Sequence, residues 1–266
     1  MTSPSSDGSA VARAAAPKSL NTAFDDVRLA SPPGNSGFPG GDGRRGTMEM
    51  VMMQQTIAGY RDRAEAGAVL TEHLMKYAGQ NVAVFGVAAG GVAVAAPIAG
   101  ALGADLDVLA VRQLTLPGQP DQPWGAVAVL GDCVQVVAEP DTPRRTAAEP
   151  GDTVRQRDLT ELRHLEDTYR AGRPPERITG RLVIVVGDGL TGLAAMRAAA
   201  SAVRRHRPAQ LVIAIPAATT QMSRELSRVA DGVICPMSAG LFQPVASVYN
   251  DPAGISVDDV RRLLSA

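Results

Sequence analysis

The chain has 266 residues, an apolar fraction of 45 % and a formal net charge of −1, an ordinary composition for a globular protein with a sizeable core. The balanced charge and an aromatic content of 3 % speak against the basic surface and stacking platforms of nucleic-acid binders, so no nucleic-acid partner is expected. No apolar run reaches the roughly 18 residues of a membrane span. The N-terminus lacks the apolar stretch of a secretory signal, so we expect a cytoplasmic protein with no membrane partner.

Residues 1–50 are predicted to be a disordered tail or a mis-assigned start. Ser, Ala, Gly, Pro and Asp dominate residues 1–47, and such a stretch buries too little apolar surface to offset its chain entropy. Four methionines follow within residues 48–53, so the composition leaves open whether the tail is a functional arm. Residues 51–266 are predicted to form one domain, in which order begins near Tyr60.

Short apolar runs alternate with helical patterns along the rest of the chain, which predicts both element types. In chain order the predicted elements are a helix from about 60 to 78, a strand at 82–87, a helix from after 91 to 102, a strand at 106–111, a proline-containing loop at 115–124, a hairpin of 125–130 and 133–138, a helix at 153–170, a strand at 181–186, a helix at 193–205, a strand at 211–215, a helix at 222–230, a strand at 233–235 and a last helix after Ser256.

Three details of this prediction matter for the site. The hairpin is predicted to turn at Gly131-Asp132. The helix at 153–170 is strongly charged and is interpreted as a solvated connection. Ser256 and Asp259 have the spacing of a capping box.

Strands that alternate with helices indicate βαβ units and therefore an α/β fold with a doubly wound, mostly parallel sheet. In such sheets ligands bind beyond the carboxyl ends of the strands. This rule selects three loops as candidate ligand contacts, at 88–91, 113–124 and 187–192.

The third loop reads Gly187-Asp188-Gly189-Leu190-Thr191-Gly192 between a strand and a helix. Glycines let backbone N–H groups approach an anion, and the N-terminus of the helix adds a positive dipole, so a phosphate is the expected ligand. The string also matches the dinucleotide fingerprint G-x-G-x-x-G. That fingerprint needs an acidic residue at the end of the next strand. The sequence has no Asp or Glu between Asp188 and Glu225, so a nicotinamide dinucleotide is the weaker interpretation.

The same string resembles the ribose-phosphate loop of type I phosphoribosyltransferases, which reads Asp-Asp-Gly-x-Ala-Thr-Gly-x-Thr/Ser-Met. The resemblance extends over residues 61–264. Ala88-Ala89-Gly90-Gly91 after Phe85-Gly86-Val87 resembles the pyrophosphate-binding loop of the family, and Val111-Arg112-Gln113-Leu114 resembles its next strand.

The resemblance implies a fold of the type I kind with a small β-hairpin hood. It also implies binding of phosphoribosyl pyrophosphate with Mg²⁺ and transfer of the phosphoribosyl group to a nitrogen acceptor, with release of pyrophosphate. The partner is then a small phosphoribosyl or nucleotide ligand, and a homodimer is expected because dimers are common in the family. The implied ligand-binding residues are Gly187, Asp188, Gly189, Leu190, Thr191, Gly192, Ala88, Ala89, Gly90, Gly91 and Arg112.

Several positions depart from the family pattern. Gly187 replaces the first of two ribose-binding acids, Ala89 replaces an arginine, and Gln113 replaces a lysine. Charge-assisted contacts contribute about 1.5–3 kcal/mol each, so these losses are expected to weaken the binding of phosphoribosyl pyrophosphate. Two interpretations stay open: a working transferase in which Asp188 binds ribose, and a catalytically silent member that binds a nucleotide or regulates a partner.

Overall fold

The computed structural model describes residues 28–29, 49–52, 59–116, 119–139, 156–239, 248–251 and 253–266. The strands are β1 (Arg28–Leu29), β2 (Glu49–Met52), β3 (Val82–Val87), β4 (Asp105–Leu116), β5 (Gln119–Leu130), β6 (Cys133–Ala138), β7 (Leu182–Val186), β8 (Gln210–Ala214), β9 (Ala217–Thr219), β10 (Gly232–Cys235) and β11 (Met237–Ala239). The α-helices are α1 (Arg63–Leu74), α2 (Ala88–Leu102), α3 (Gln156–Arg170), α4 (Leu193–Arg205), α5 (Thr220–Leu226) and α6 (Val257–Leu264).

Nine strands form one sheet in the order β1-β6-β5-β4-β3-β7-β8-β10-β2, and β9 pairs with β11 in a second, two-stranded sheet. In the run β4-β3-β7-β8-β10 of the sheet order, each strand is parallel to the next. Strand β5 runs antiparallel to both of its neighbours, β4 and β6. The predicted α/β class with a doubly wound, mostly parallel sheet is confirmed. The predicted hairpin is confirmed as β5 and β6, and it extends the main sheet beside β4 rather than standing apart as a hood.

The central strands are apolar on both faces because helices cover both faces. Val84 and Ile184 pack with α1 and α2 on one side, whereas Phe85 and Val185 pack with α4 on the other. All four side chains are fully buried. This two-sided burial explains why β3 and β7 appear in the sequence as continuous apolar runs.

Helix α3 is not the solvated connection that its charge suggested. Its residues Leu159 and Leu162 pack against β4, β5 and β6, and its last turn carries a buried ion-pair network. Arg170 Nε lies 2.8 Å from Asp107 Oδ1, and the same guanidinium pairs with Glu166. The pattern was misleading because these buried charges neutralise one another instead of facing water.

The loop predicted at 115–124 is also wrong for most of its length, since β4 continues to Leu116 and β5 begins at Gln119. Strand β6 pairs with β5 only from Gly125 onward. Pro120 and Pro123 therefore lie in a part of β5 with β4 as a neighbour on one side alone, an edge position in which proline is tolerated. Trp124 is buried with α3. Residues 117–118 lie outside the described residues.

Two short strands within or just after the predicted tail differ from the expectation that order begins near Tyr60. Arg28–Leu29 pairs with β6, and Glu49–Met52 pairs with β10, at the two edges of the sheet. The other residues before 59 lie outside the described residues, so the disordered tail and the boundary at 50/51 stay predictions. In the part of the chain that the structure describes, no helix is long and apolar enough to cross a membrane.

Candidate functional site

The strand order reverses between β3 and β7, which lie side by side and parallel. From β3 the chain crosses through α2 to β4, whereas from β7 it crosses through α4 to β8 in the opposite direction. The carboxyl ends of the two strands therefore open a crevice, the usual ligand position in a doubly wound sheet. A cleft of about 240 Å³ lies there, lined by Val87, Ala88, Val111, Gln113, Asp188, Leu190, Thr191, Gly192 and Ala195.

The turn at 187–192 is closed by the side chain of its own Asp188. Oδ1 of this residue accepts hydrogen bonds from the Leu190 N–H at 3.0 Å, the Thr191 N–H at 3.1 Å and the Thr191 hydroxyl at 2.9 Å. Gly189 has a φ of 78°, a left-handed conformation that favours glycine. The predicted glycine turn is therefore present, with a carboxylate folded into its centre.

The other carboxylate oxygen of Asp188 faces Arg63, at the start of α1. Arg63 Nη2 lies 3.4 Å from Asp188 Oδ2, and the two side chains are only 11 % and 9 % exposed. The same guanidinium lies over the ring of Tyr249, 5.1 Å from its centroid, and donates to the Ala253 carbonyl at 2.8 Å. The charge of Asp188 is thus neutralised from inside the protein.

Tyr249 holds the backbone of the same residue. Its hydroxyl donates to the Asp188 carbonyl oxygen at 2.6 Å. Burial raises the pKa of Tyr249 well above its usual value, and the negative charge of Asp188 raises this pKa further. The hydroxyl therefore keeps its proton across the physiological range and remains a donor.

The predicted loop at 88–91 is not a loop in the structure. Strand β3 runs directly into α2, and Ala88, with a φ of 54°, makes the change of direction. A Cβ on Gly90 would overlap the Asp188 carboxylate, and one on Gly91 would lie 2.5 Å from the Val186 carbonyl oxygen. Glycine is therefore present at both positions because it allows α2 to pack closely against the turn and the end of β7, and not because the segment is a loop.

Of the four residues predicted there, only Ala88 lines the cleft. Ala89 faces away and packs with Val92 and Val108 beside α6. Gly90 and Gly91 are not among the residues that line the cleft. The expected pyrophosphate loop is thus replaced by the first turn of a packed helix.

Arg112 also lies away from the cleft. Its guanidinium pairs with Asp158 at 3.4 Å and Glu161 at 3.0 Å, both on α3. Successive residues of a strand point to opposite faces, so Gln113 lines the cleft instead. Of the predicted residues, the cleft lining therefore contains Ala88, Asp188, Leu190, Thr191 and Gly192. It does not contain Gly187, Gly189 or Arg112.

The N-terminus of α4 faces the same cleft. Its N-cap, Gly192, makes no side-chain cap, and Oε1 of Glu139 accepts from the Ala194 N–H at 3.3 Å. The first N–H groups of a helix have no partner inside the helix, and they attract negative charge. A carboxylate at this position shows the kind of group that the end of α4 accommodates.

Sequence reasoning missed Arg63, Tyr249 and Glu139. Arg63 and Tyr249 are 125 and 61 residues from Asp188 along the chain, and no motif links such distant positions. Glu139 stands at the end of a predicted strand on the ligand side of the sheet, which is the one signal that pointed to it.

The described residues do not fit a Mg²⁺ site. No group of three or more His, Cys, Asp or Glu side chains in the described ranges could hold a metal ion. Both oxygens of Asp188, the acidic residue of the cleft lining, are already bonded to the chain. A magnesium ion at this cleft would therefore have to be held mainly by the oxygens of the ligand and by water.

The chain is an α/β protein with a cleft at the glycine turn, where the strand order reverses. No family model matches it. Two curated Mycobacterium tuberculosis proteins, from strains CDC 1551 and H37Rv, carry the name "Putative phosphoribosyl transferase". Each is 34 % identical over 203 residues, which are 76 % of this chain and 45 % of the relative. The chain thus spans about half the length of these curated relatives.

A solved structure, that of the Thermus thermophilus protein TT1426, is 33 % identical and has a TM-score of 0.61. The match covers 77 % of this chain and 97 % of that one. Over 76 % of its length the chain is thus similar to proteins that are named as phosphoribosyl transferases. This confirms the resemblance on which the sequence interpretation relied.

Proposed function

We propose that the cleft binds the 5′-phosphate and sugar of a ribosyl ligand, either phosphoribosyl pyrophosphate or a nucleoside monophosphate. The observation that supports this most directly is the convergence of the glycine turn and the N-terminus of α4 at the switch point of the sheet. Backbone N–H groups and the helix dipole both favour a phosphate there. Glu139 accepts from the Ala194 N–H at 3.3 Å, so a phosphate bound to the first turn of α4 would have to displace this carboxylate.

If the protein is active, the reaction is transfer of the phosphoribosyl group to a nitrogen acceptor with release of pyrophosphate, in keeping with its family. The chain would contribute positioning of the sugar phosphate rather than covalent chemistry. The cytoplasm, where free nucleotides are found, is the proposed location.

A second candidate is a catalytically silent protein that binds a nucleotide. One observation favours it: the described lining of the cleft contains no Arg or Lys side chain. A departing pyrophosphate is strongly anionic, and its stabilisation is usually the largest contribution to such a reaction. Arg112 could supply that charge only by leaving Asp158 and Glu161.

Calorimetric titration of the full chain tests the proposal, with phosphoribosyl pyrophosphate in the presence and absence of Mg²⁺, and with AMP and GMP. Saturable binding of at least one phosphate ester is expected, and failure of all of them to bind would refute the proposal. Magnesium-dependent donor binding with pyrophosphate release would identify a working transferase. Monophosphate binding without turnover would identify the silent protein.

Two variants of Gly192 provide a matched pair. Its φ of −66° and ψ of 163° suit any L-residue, and both Asp and Ser are favourable N-caps. A Cβ would meet the exposed Gln113 amide at 3.2 Å, which can move aside. Gly192→Asp places a competing carboxylate at the phosphate position and should abolish binding without loss of stability, while Gly192→Ser should bind normally.

A further inference from the structure

We infer that the cleft does not read the hydroxyl groups of the sugar, so that it binds ribo-, deoxyribo- and dideoxyribonucleoside 5′-monophosphates alike. This inference rests on the proposed function and narrows its ligand class. It runs against the role that the family resemblance implied for Asp188, which was to bind the ribose.

The first support is the state of the Asp188 carboxylate. Each carboxylate oxygen has about two lone pairs to offer, yet Oδ1 already accepts from three donors within the turn. Oδ2 faces Arg63, and the Asp188 side chain is only 9 % exposed. Asp188 is therefore a positioning residue that holds the turn closed, and a sugar hydroxyl would have to break these contacts to reach it.

The second support is the environment of residue 187, where the family pattern places the other acid. Gly187 has no side chain, and a Cβ there would lie 2.8 Å from the sulfur of Met196, which is fully buried. The end of the Met196 side chain would therefore have to shift to make room for any side chain at position 187. Of the two positions that could offer a carboxylate to vicinal hydroxyls, one lacks the acid and the other has its carboxylate engaged.

The third support is where the remaining polar groups lie. Gln113 Nε2 and Glu139 Oε1 lie 3.2 Å and 4.0 Å from the Cβ position of Gly192, at the α4 end of the cleft where the phosphate is proposed to bind. The Thr191 hydroxyl donates to Asp188. Away from that end, the described lining includes Val87, Ala88 and Val111, which offer a sugar no hydrogen-bonding side chain.

Titration of the full chain with AMP, 2′-deoxy-AMP and 2′,3′-dideoxy-AMP tests the inference. The three dissociation constants are expected to agree within about threefold, because the lining away from the α4 end gives the hydroxyls no side-chain partner to lose. A weakening of about tenfold or more when the hydroxyls are removed would overturn it, since that is the size of one lost hydrogen bond. Failure of all three to bind would instead refute the proposed function, and the inference with it.

Two variants separate positioning from sugar contact. Asp188→Asn and Arg63→Gln should each weaken the binding of all three nucleotides by the same factor, because both act through the shape of the turn. If Asp188 contacted the sugar, Asp188→Asn would weaken AMP far more than dideoxy-AMP. Because the ligand series on the wild-type chain stands alone, the inference remains testable even if a variant folds poorly.

Discussion

Tyr249 donates its hydroxyl to the carbonyl oxygen of Asp188 over 2.6 Å, and this bond joins the segment before α6 to the centre of the turn at 187–192. The same segment is anchored to the start of the domain, where the Tyr60 N–H donates to the Val248 carbonyl at 2.7 Å and the Asn250 N–H to the Tyr60 carbonyl at 2.8 Å. The two ends of the domain thus meet behind the cleft. Changes there should alter ligand binding without touching the ligand.

Tyr249→Phe should lower the free energy of unfolding by about 1–3 kcal/mol, since it leaves a buried carbonyl without its donor. It should also weaken nucleotide binding, because the turn keeps its contact with Arg63 but loses the hydrogen bond from Tyr249. Chemical denaturation and calorimetric titration measure the two effects. Tyr169→Phe is the control: Tyr169 is also buried, and its hydroxyl makes no hydrogen bond to any of the described residues. Equal effects of the two substitutions would show that the Tyr249 hydroxyl does not stabilise the turn.

Gly90→Ala should destabilise the protein and weaken ligand binding, because the added methyl group would overlap the Asp188 carboxylate. Gly100→Ala on the same helix is the matched control, since a Cβ there meets nothing within 4 Å. That control should stabilise the protein by about 0.5–1 kcal/mol through helix propensity. The prediction fails if Gly90→Ala behaves like Gly100→Ala in thermal unfolding and titration.

Gly187→Asp restores the acid of the family pattern but should not restore binding of phosphoribosyl pyrophosphate. The new Cβ would lie 2.8 Å from Met196 Sδ, and overpacking of this kind costs about 1–3 kcal/mol. Gly187→Ala, which adds the crowding without the charge, should destabilise to a similar degree. A folded Gly187→Asp variant with a gain of about tenfold in donor affinity would show that the core yields more easily than its packing indicates.

Arg170→Met should lower the free energy of unfolding by about 3–5 kcal/mol, because it leaves Asp107 and Glu166 buried without a cation. All three side chains are about 4–5 % exposed. Arg163→Met, on the same helix and with no ion pair among the described residues, should change stability by less than about 0.5 kcal/mol. Urea denaturation of the two variants checks the prediction, and a small effect of Arg170→Met would contradict it.

The free energy of unfolding should begin to fall above about pH 8.5. Burial raises the pKa of the Cys235 thiol to about 11 and that of the Tyr60 hydroxyl to about 12, whereas an unfolded thiol ionises near 8.5 and an unfolded tyrosine near 10. As the pH rises, the unfolded chain therefore loses these protons before the native state does. The free energy of unfolding then falls by up to about 1.4 kcal/mol per pH unit for each group.

This contribution is complete below about pH 8.5 and declines as the pH rises towards the raised values. Denaturation curves between pH 8 and 11 would measure the slope. Cys235→Ala should remove the part that begins near pH 8.5 and leave the tyrosine part, which begins near pH 10. A wild-type stability that stays constant to pH 11 would contradict the prediction.

The sequence predicted the scaffold well where local pattern determined it. Strand β3 at 82–87 and helix α4 at 193–205 have the predicted bounds, because an apolar run and an amphipathic helix are each defined by their own residues. The capping box of Ser256 and Asp259 is confirmed for the same reason. The glycine turn, too, lies at the predicted end of a central strand.

The sequence failed where side chains from distant segments decide the outcome. The function of Asp188 depends on Arg63, and the use of Gln113 in place of Arg112 depends on which face of β4 is turned to the cleft. Glycines give an ambiguous signal, since Gly90 serves close packing whereas Gly189 serves a left-handed turn. Only the register of the sheet and the packing of α2 separate these meanings.

Because the carboxylate that closes the turn belongs to the turn itself, the cleft has its shape before any ligand arrives. The conformational entropy of ordering the turn is lost during folding, so a ligand need not supply it on arrival. Association should then be a single kinetic step, with an observed rate that rises linearly with ligand concentration and shows no plateau. In this protein Asp188 would then contribute to the proposed ligand binding by fixing the shape of the turn during folding.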